Sequence, residues 1–147
     1  MDISNQGKSF LQALEGCKLE AYQDCVGIWT IGYGSTFYLD GSPVEKGDII
    51  SEELAEELFD KIVDRFASQV GSLVRFKELK QHEFDALVSF CYNVGANAFA
   101  SSSVLKAVLY KEKAHVVRAF FNWLEPIVLL GRRKKEADLY LEGDYVT

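Results

Sequence analysis

The spacing of apolar positions changes along this chain, and each change marks an element. Over residues 3–15, Phe10, Leu11 and Leu14 fall on one helical stripe. Ser4 stands as an N-cap and Gly16 follows in the C′ place, which predicts a helix that stops directly after Glu15. From Lys18 to about Thr36 the pattern turns to short β-rich runs, LEAYQ and IWTIGY, separated by DCVG, the signature of a small hairpin. The LDGSP at 39–43 is a further turn, so a three-stranded sheet is expected. Ser51 then caps a long helix with Glu52 and Glu53 in its first turn and Leu54, Leu58, Ile62 and Phe66 at every fourth position. Every later segment reads helical: KQHEFDALVSFCYNVG closing at Gly95, SSSVLKAVLYK behind a serine cap, AHVVRAFFNWL ending before Pro126, and RRKKEADLYLEG closing at Gly143. The predicted layout is an α+β fold with a small N-terminal lobe carrying the sheet, a long connecting helix and a helical C-terminal lobe. One domain is expected over residues 1–147, with lobes at roughly 14–60 and 70–147 plus the N-terminal helix, and a cleft between them.

Charge sharpens this picture. The net charge is -6, but residues 1–70 carry 5 Lys/Arg against 13 Asp/Glu, while residues 71–147 carry 11 against 9. An acidic front half argues against nucleic acid as a partner, because that footprint is basic. SEELAEELFDKIVD holds six of the thirteen acids, as a solvated helix face would. No apolar run approaches the ~18 residues of a membrane span, so no stable membrane insertion is expected. MDISNQGKSF has no basic stretch followed by an apolar one, so neither a secretory signal nor an anchor is expected. Cys17, Cys25 and Cys91 are odd in number and lack C-x-x-C pairing, which favours buried free thiols made in a reducing compartment. His82 and His115 have no acid or cysteine partners at ligand spacing, so no metal site and no cofactor are expected.

The chemistry concentrates at the first helix end. Glu15 sits at a helix C-terminus, where the macrodipole disfavours a second negative charge, and burial in a cleft pushes the same way. Both effects favour a protonated carboxyl near neutral pH, which is what a general acid must be. Glycoside hydrolysis uses such a group to protonate the leaving oxygen while an ionised carboxylate works from the other face. Asp24, at the hairpin tip, is the natural second carboxylate. Thr30 lies on the following strand, where its hydroxyl could hold a water against Asp24. Glu20 sits mid-strand without a helix end or partner to tune it and is read as surface. Phe90, Cys91, Val94 and Trp123 are read as core.

This stretch resembles the catalytic region of the bacteriophage lysozymes, the endolysins of glycoside hydrolase family 24. Their pattern is a Glu, eight residues, an Asp or Cys, five residues, a Thr, and then a glycine-rich strand. Glu15, Asp24 and Thr30 occupy those places, and WTIGYG matches the strand and its turn. HEFDALVSFCYNVG, FASSSVLKAVL and GRRKKEADLYLEG are similar to the family's later helices, in the same order, so the resemblance covers nearly the whole chain. It implies a lysozyme-like fold and hydrolysis of the β-1,4 bond between N-acetylmuramic acid and N-acetylglucosamine in peptidoglycan, with inversion, causing host lysis. It further implies Glu15 as acid, Asp24 as base or charge stabiliser and Thr30 as water positioner. Arg132 is the implied partner of Glu15, with Arg133, Lys134 and Lys135 solvated or facing the anionic wall. Gly34, Tyr92 and Asn93 are the implied cleft residues, and Ser102 is read either as lining the sugar site or as a helix cap. A monomer made in the host cytoplasm, and reaching the wall through a membrane opened by a holin, completes the expectation.

Three departures stand out. Ser35 occupies a place where members often carry a His that pairs with an acid across its lobe. Cys25 lies one place after a slot that Cys sometimes fills, but Asp24 keeps both spacings. WLEPIVLLGRRKKE lacks the extra glycines common there, which leaves that cleft edge open. The rival readings are a lytic transglycosylase, which uses one Glu and no essential Asp, and a catalytically inactive cell-wall binding protein.

Overall fold

The structure, a computed structural model, describes residues 1–123 and 129–147. In chain order its elements are α1 (Asn5–Glu15), β1 (Lys18–Gln23), β2 (Trp29–Gly32), α2 (Glu52–Leu73), α3 (Gln81–Val94), α4 (Ala96–Ala100), α5 (Ser103–Tyr110), α6 (Lys113–Phe120) and α7 (Leu130–Glu142). The caps form where the sequence places them. Ser4, Ser51 and Ser102 each accept a backbone N–H from the first turn of α1, α2 and α5, and Gly16, Gly95 and Gly143 terminate α1, α3 and α7 at positive φ. The short α4 carries no sequence signal of its own. α6 ends at Phe120, so the expected stop before Pro126, and much of the cleft edge left open by the missing glycines, lie outside the described residues. Among the described residues no helix is long and apolar enough to cross a membrane.

The sheet is smaller than expected. β1 and β2 pair antiparallel, with Tyr22 opposite Thr30, and the described residues hold no third strand. The segment before α2 meets β1 only at one bridge, Glu20 with Ile49, flanked by Ala21 N–H to Asp48 O and Ile50 N–H to Leu19 O, both 2.9 Å. A turn at Gly47 and the Ser51 cap leave this segment no length in which to extend the ladder.

Two apolar clusters form. The smaller joins Ile31, Val44 and Ile50 to Ala55 and Leu58 of α2, and the larger gathers α1 and the later helices around Phe59, Leu87, Phe90, Phe99 and Phe120. α2 feeds both, which shifts its buried stripe from the expected one: Ala55, Phe59, Val63, Ala67 and Val70 are buried with Leu58, whereas Leu54, Ile62 and Phe66 are half-exposed. The thiols also differ from expectation. All three are free, but only Cys91 is buried; Cys17 and Cys25 lie beside the hairpin and at its tip, where two strands offer no second layer to cover them.

One polar anchor sets the pose of α1. Asp85 of α3, almost fully buried, accepts from Ser4 N–H at 3.1 Å, from the Ser4 hydroxyl, from Gln81 Nε2 at 2.8 Å and from the Tyr145 hydroxyl at 2.7 Å. Gly7 permits the approach, since a Cβ there would lie 2.6 Å from Asp85 Cγ. The helix that ends in Glu15 is thus fixed at its start by a buried carboxyl acceptor.

Candidate active site

Glu15, the last residue of α1, turns its side chain toward α7. Arg132 Nη1 donates to Glu15 Oε1 at 2.5 Å, and both side chains are largely buried. The same guanidinium reaches Glu136 Oε2 through Nε at 3.2 Å and the Ser89 carbonyl through Nη2 at 3.0 Å. Burial pulls the Arg132 pKa down, but the charges of Glu136 and Glu15 outweigh it and the net shift is upward. The other oxygen of Glu15 faces Gly34: a Cβ added there would lie 3.6 Å from Glu15 Oε2 and 4.0 Å from Tyr92 Cε1. Gly34 has φ +96, the left-handed conformation that the turn after β2 requires.

Asp24 and Thr30 share one backbone anchor. Asp24 Oδ1 accepts from Val26 N–H and Ile28 N–H, both at 2.9 Å, and Asp24 N–H donates to Ile28 O, also at 2.9 Å. The Thr30 hydroxyl donates to that same Ile28 carbonyl at 2.9 Å. Asp24 therefore keeps Oδ2 outside this turn network, and the Thr30 oxygen keeps its acceptor capacity. The sequence reading passed over Tyr22, which feels both carboxylates. Its pKa is raised first by burial and then by the charges of both Glu15 and Asp24, so its phenol lies in the field of both. The alternation of β1 could have suggested it, because Tyr22 is the residue paired with Thr30.

Tyr92 closes the site from α3. Its hydroxyl donates to Tyr33 O at 2.6 Å, its ring packs on Phe59 and Phe66, and burial followed by the Glu15 charge pushes its pKa well up. Asn93 does not meet Glu15; its Oδ1 accepts from Arg133 Nη2. Ser102, 1% exposed, caps α5 by accepting from Leu105 N–H at 3.0 Å and donates to Phe99 O at 2.8 Å. Its polar atom is spent on the helix start. Ser35 is fully buried and, among the described residues, its hydroxyl has no partner.

The basic run opening α7 divides against expectation. Arg133, read as solvated or wall-facing, is fully buried: Nη1 binds Glu136 Oε1 at 2.6 Å, Nε binds Trp123 O at 3.0 Å, and the guanidinium sits 4.9 Å from the Phe90 ring centre. Glu136, also fully buried, takes Ser89 Oγ at 2.5 Å besides both arginines. Neither role was foreseen, although a signal existed. Arg133, Glu136, Ala137 and Tyr140 are spaced as one face of a helix, and all four are buried.

The chain matches the family model described as phage lysozyme over residues 12–136. It is 39% identical over 145 residues to the endolysin of Salmonella phage P22, covering 96% of this chain and 99% of that protein. Among solved structures it resembles an endolysin from Escherichia coli O157:H7 phage FAHEc1, with TM-score 0.92, 35% identity, and coverage of 100% of this chain and 98% of that one. A variant of P22 lysozyme gives TM-score 0.80 at 38% identity, covering 97% and 99%.

Proposed function

We propose, from the premise that this chain belongs to the phage lysozyme family and is a peptidoglycan-hydrolysing endolysin, that Glu15 is the general acid, Asp24 the base and Thr30 the residue that positions the attacking water. The observation that carries the reading is the asymmetric setting of Glu15. Oε1 is held by Arg132 at 2.5 Å, while Oε2 lies on the Gly34 side. A proton on Oε2 passes to the oxygen of the β-1,4 bond between N-acetylmuramic acid and N-acetylglucosamine as the bond to the anomeric carbon breaks. A water bound by the Thr30 oxygen and Asp24 Oδ2 attacks that carbon and gives its proton to Asp24. Arg132 orients the acid and takes no part in the bonds made. By family analogy the reaction inverts the anomeric centre.

The cleft lies between a lobe near residues 14–60 and one near 70–147 that includes α1, with α2 as the connection. The protein acts as a monomer, is made in the host cytoplasm, and meets the wall when a holin opens the membrane. Nucleic acid has no part in this, and neither a metal nor a cofactor is needed.

Glu15→Gln tests the mechanism. Gln keeps the volume and the Arg132 contact through its amide oxygen but gives up no proton. General acid catalysis contributes about 10² to 10⁴ in rate, roughly 3 to 5 kcal/mol of barrier, so release of reducing muramic ends should fall at least that far. Clearance of peptidoglycan within a few-fold of the parent rate refutes the assignment. Anhydro ends from the parent indicate a transglycosylase, and binding without any new ends indicates an inactive wall-binding protein.

A further inference from the structure

A cavity of about 400 Å³ opens next to Glu15, and the catalytic proposal leaves its far wall unused. Gly34, which faces Glu15 Oε2, and Tyr92 form its near end; Phe37, Tyr38, Lys61 and Arg65 are among the residues that line the rest. Three features of that wall point to a ligand. Phe37 lies at the rim and is 58% exposed, an apolar ring with no place in either cluster. Lys61 and Arg65, one turn apart on α2, bring two cations to the same space. Among the described residues neither has a carboxylate within salt-bridge distance, although the surrounding half of the chain is strongly acidic.

Two acids of the same helix and one of the facing loop are engaged elsewhere. Asp60 and Asp64 meet Lys8, at 3.2 and 3.7 Å. Asp40, close enough to feel the Lys61 charge, is held by Ser42 N–H at 2.9 Å and Ser42 Oγ at 2.6 Å. Lys61 Nζ donates to Leu39 O at 2.9 Å, which aims the ammonium along the 36–41 loop toward the cavity and leaves two donors free. Arg65 lies over the edge of Phe66, 5.6 Å from the ring centre, with its fork uncommitted to any acid.

We propose that Lys61 and Arg65 form an anion subsite that binds a carboxylate or phosphate carried by the glycan strand, beyond the bond that is cut. The inference rests on the lysozyme reading and adds a specificity element to it. A strand of alternating N-acetylmuramic acid and N-acetylglucosamine presents a lactyl or stem-peptide carboxylate on every second sugar. The muramic unit next after the one at the cut therefore brings an anion into the cavity, while Phe37 and Tyr92 offer apolar faces to the sugar between. A neutral glycan of the same shape lacks the anion and loses these contacts. The subsite thus favours wall polymer over uncharged N-acetylglucosamine chains.

The test uses the full chain with Lys61→Gln, Arg65→Gln and the double substitution. Arg65→Gln leaves the Lys61 tie to the loop intact, so it remains informative if the double variant is unstable. Kinetics are read in the otherwise unaltered protein, and binding of purified strands is read in the Glu15→Gln background. The double variant should show KM and Kd about tenfold higher on native peptidoglycan, with a flatter dependence on ionic strength and with kcat much less affected. Parent protein on carboxyl-amidated peptidoglycan should show the same tenfold rise if the anion is a carboxylate. On phosphate-stripped wall it should show that rise if the anion is a phosphate. Equal KM and Kd for parent and variants on every substrate, or an unchanged salt dependence, overturns the subsite. Failure of the parent to release muramic ends strikes the hydrolase reading instead, while the Kd comparison still decides the anion subsite.

Discussion

Replacing Glu136 with Gln isolates the energetic centre of the site. In the folded protein this fully buried carboxylate accepts from Arg133 Nη1 at 2.6 Å, Arg132 Nε at 3.2 Å and Ser89 Oγ at 2.5 Å. Gln keeps one carbonyl oxygen for Arg133 but turns an NH₂ toward Arg132, a donor facing a donor, while the Ser89 hydroxyl must reverse to accept. Arg132 retains its hydrogen bonds to the Glu15 carboxyl at 2.5 Å and to Ser89 O at 3.0 Å. Arg133 keeps only the neutral acceptors Asn93 Oδ1 and Trp123 O, so the substitution leaves one buried guanidinium without a counter-charge. Removing one member of a buried ion pair costs about 3–5 kcal/mol, and the acceptors that Arg133 keeps place this case near the lower end, at about 3 kcal/mol. For a domain of this size that lowers Tm by roughly 6–12 °C. Urea denaturation at neutral pH reads the loss as a lower midpoint at unchanged slope. A double substitution, Arg133→Met with Glu136→Leu, should recover most of it, because it removes both charges together. A Glu136→Gln protein within 1 kcal/mol of the parent would refute the reasoning, since Arg133 would then be compensated by something other than Glu136.

Two further outcomes follow from the geometry. Gly34→Ala puts a methyl in van der Waals contact, 3.6 Å from Glu15 Oε2, at a φ of +96; the backbone strain should lower stability by about 1–2 kcal/mol, and a methyl in the space where substrate meets Oε2 should lower kcat/KM by about 10², so near-parent activity in a folded variant argues against substrate approaching on that side. Asp48 has its pKa lowered, first by the Tyr38 hydroxyl at 2.6 Å and then by the Glu45 N–H, so its contribution is present above the ordinary carboxylate range and is lost as pH falls through its own lowered pKa; Asp48→Asn should therefore narrow the gap to the parent as pH drops, and a gap that widens on acidification contradicts this sign.

The local elements were legible in the sequence because their determinants lie within a few residues of each other. A serine ahead of an apolar period and a glycine behind it are enough to end α1 at Glu15, start α2 at Ser51 and close α3 at Gly95, whatever the rest of the chain does. The spacing of Glu15, Asp24 and Thr30 was readable for the same reason, since a helix end and one hairpin carry all three. Only the tertiary structure decided which side of each element is covered. Arg132 and Arg133 are neighbours with one chemistry, yet one reaches Glu15 and the other is sealed against Phe90, because the packing of α7 on α3 assigns their faces. Packing likewise gave the stripe of α2 to two clusters at once and left Cys25 bare at a hairpin tip that no layer covers. Period and capping are properties of a segment, whereas burial belongs to a pair of surfaces. The pairs of Glu136 with Arg132 and Arg133 are local to α7, but their burial and the Ser89 hydroxyl bond exist only after α7 has met α3.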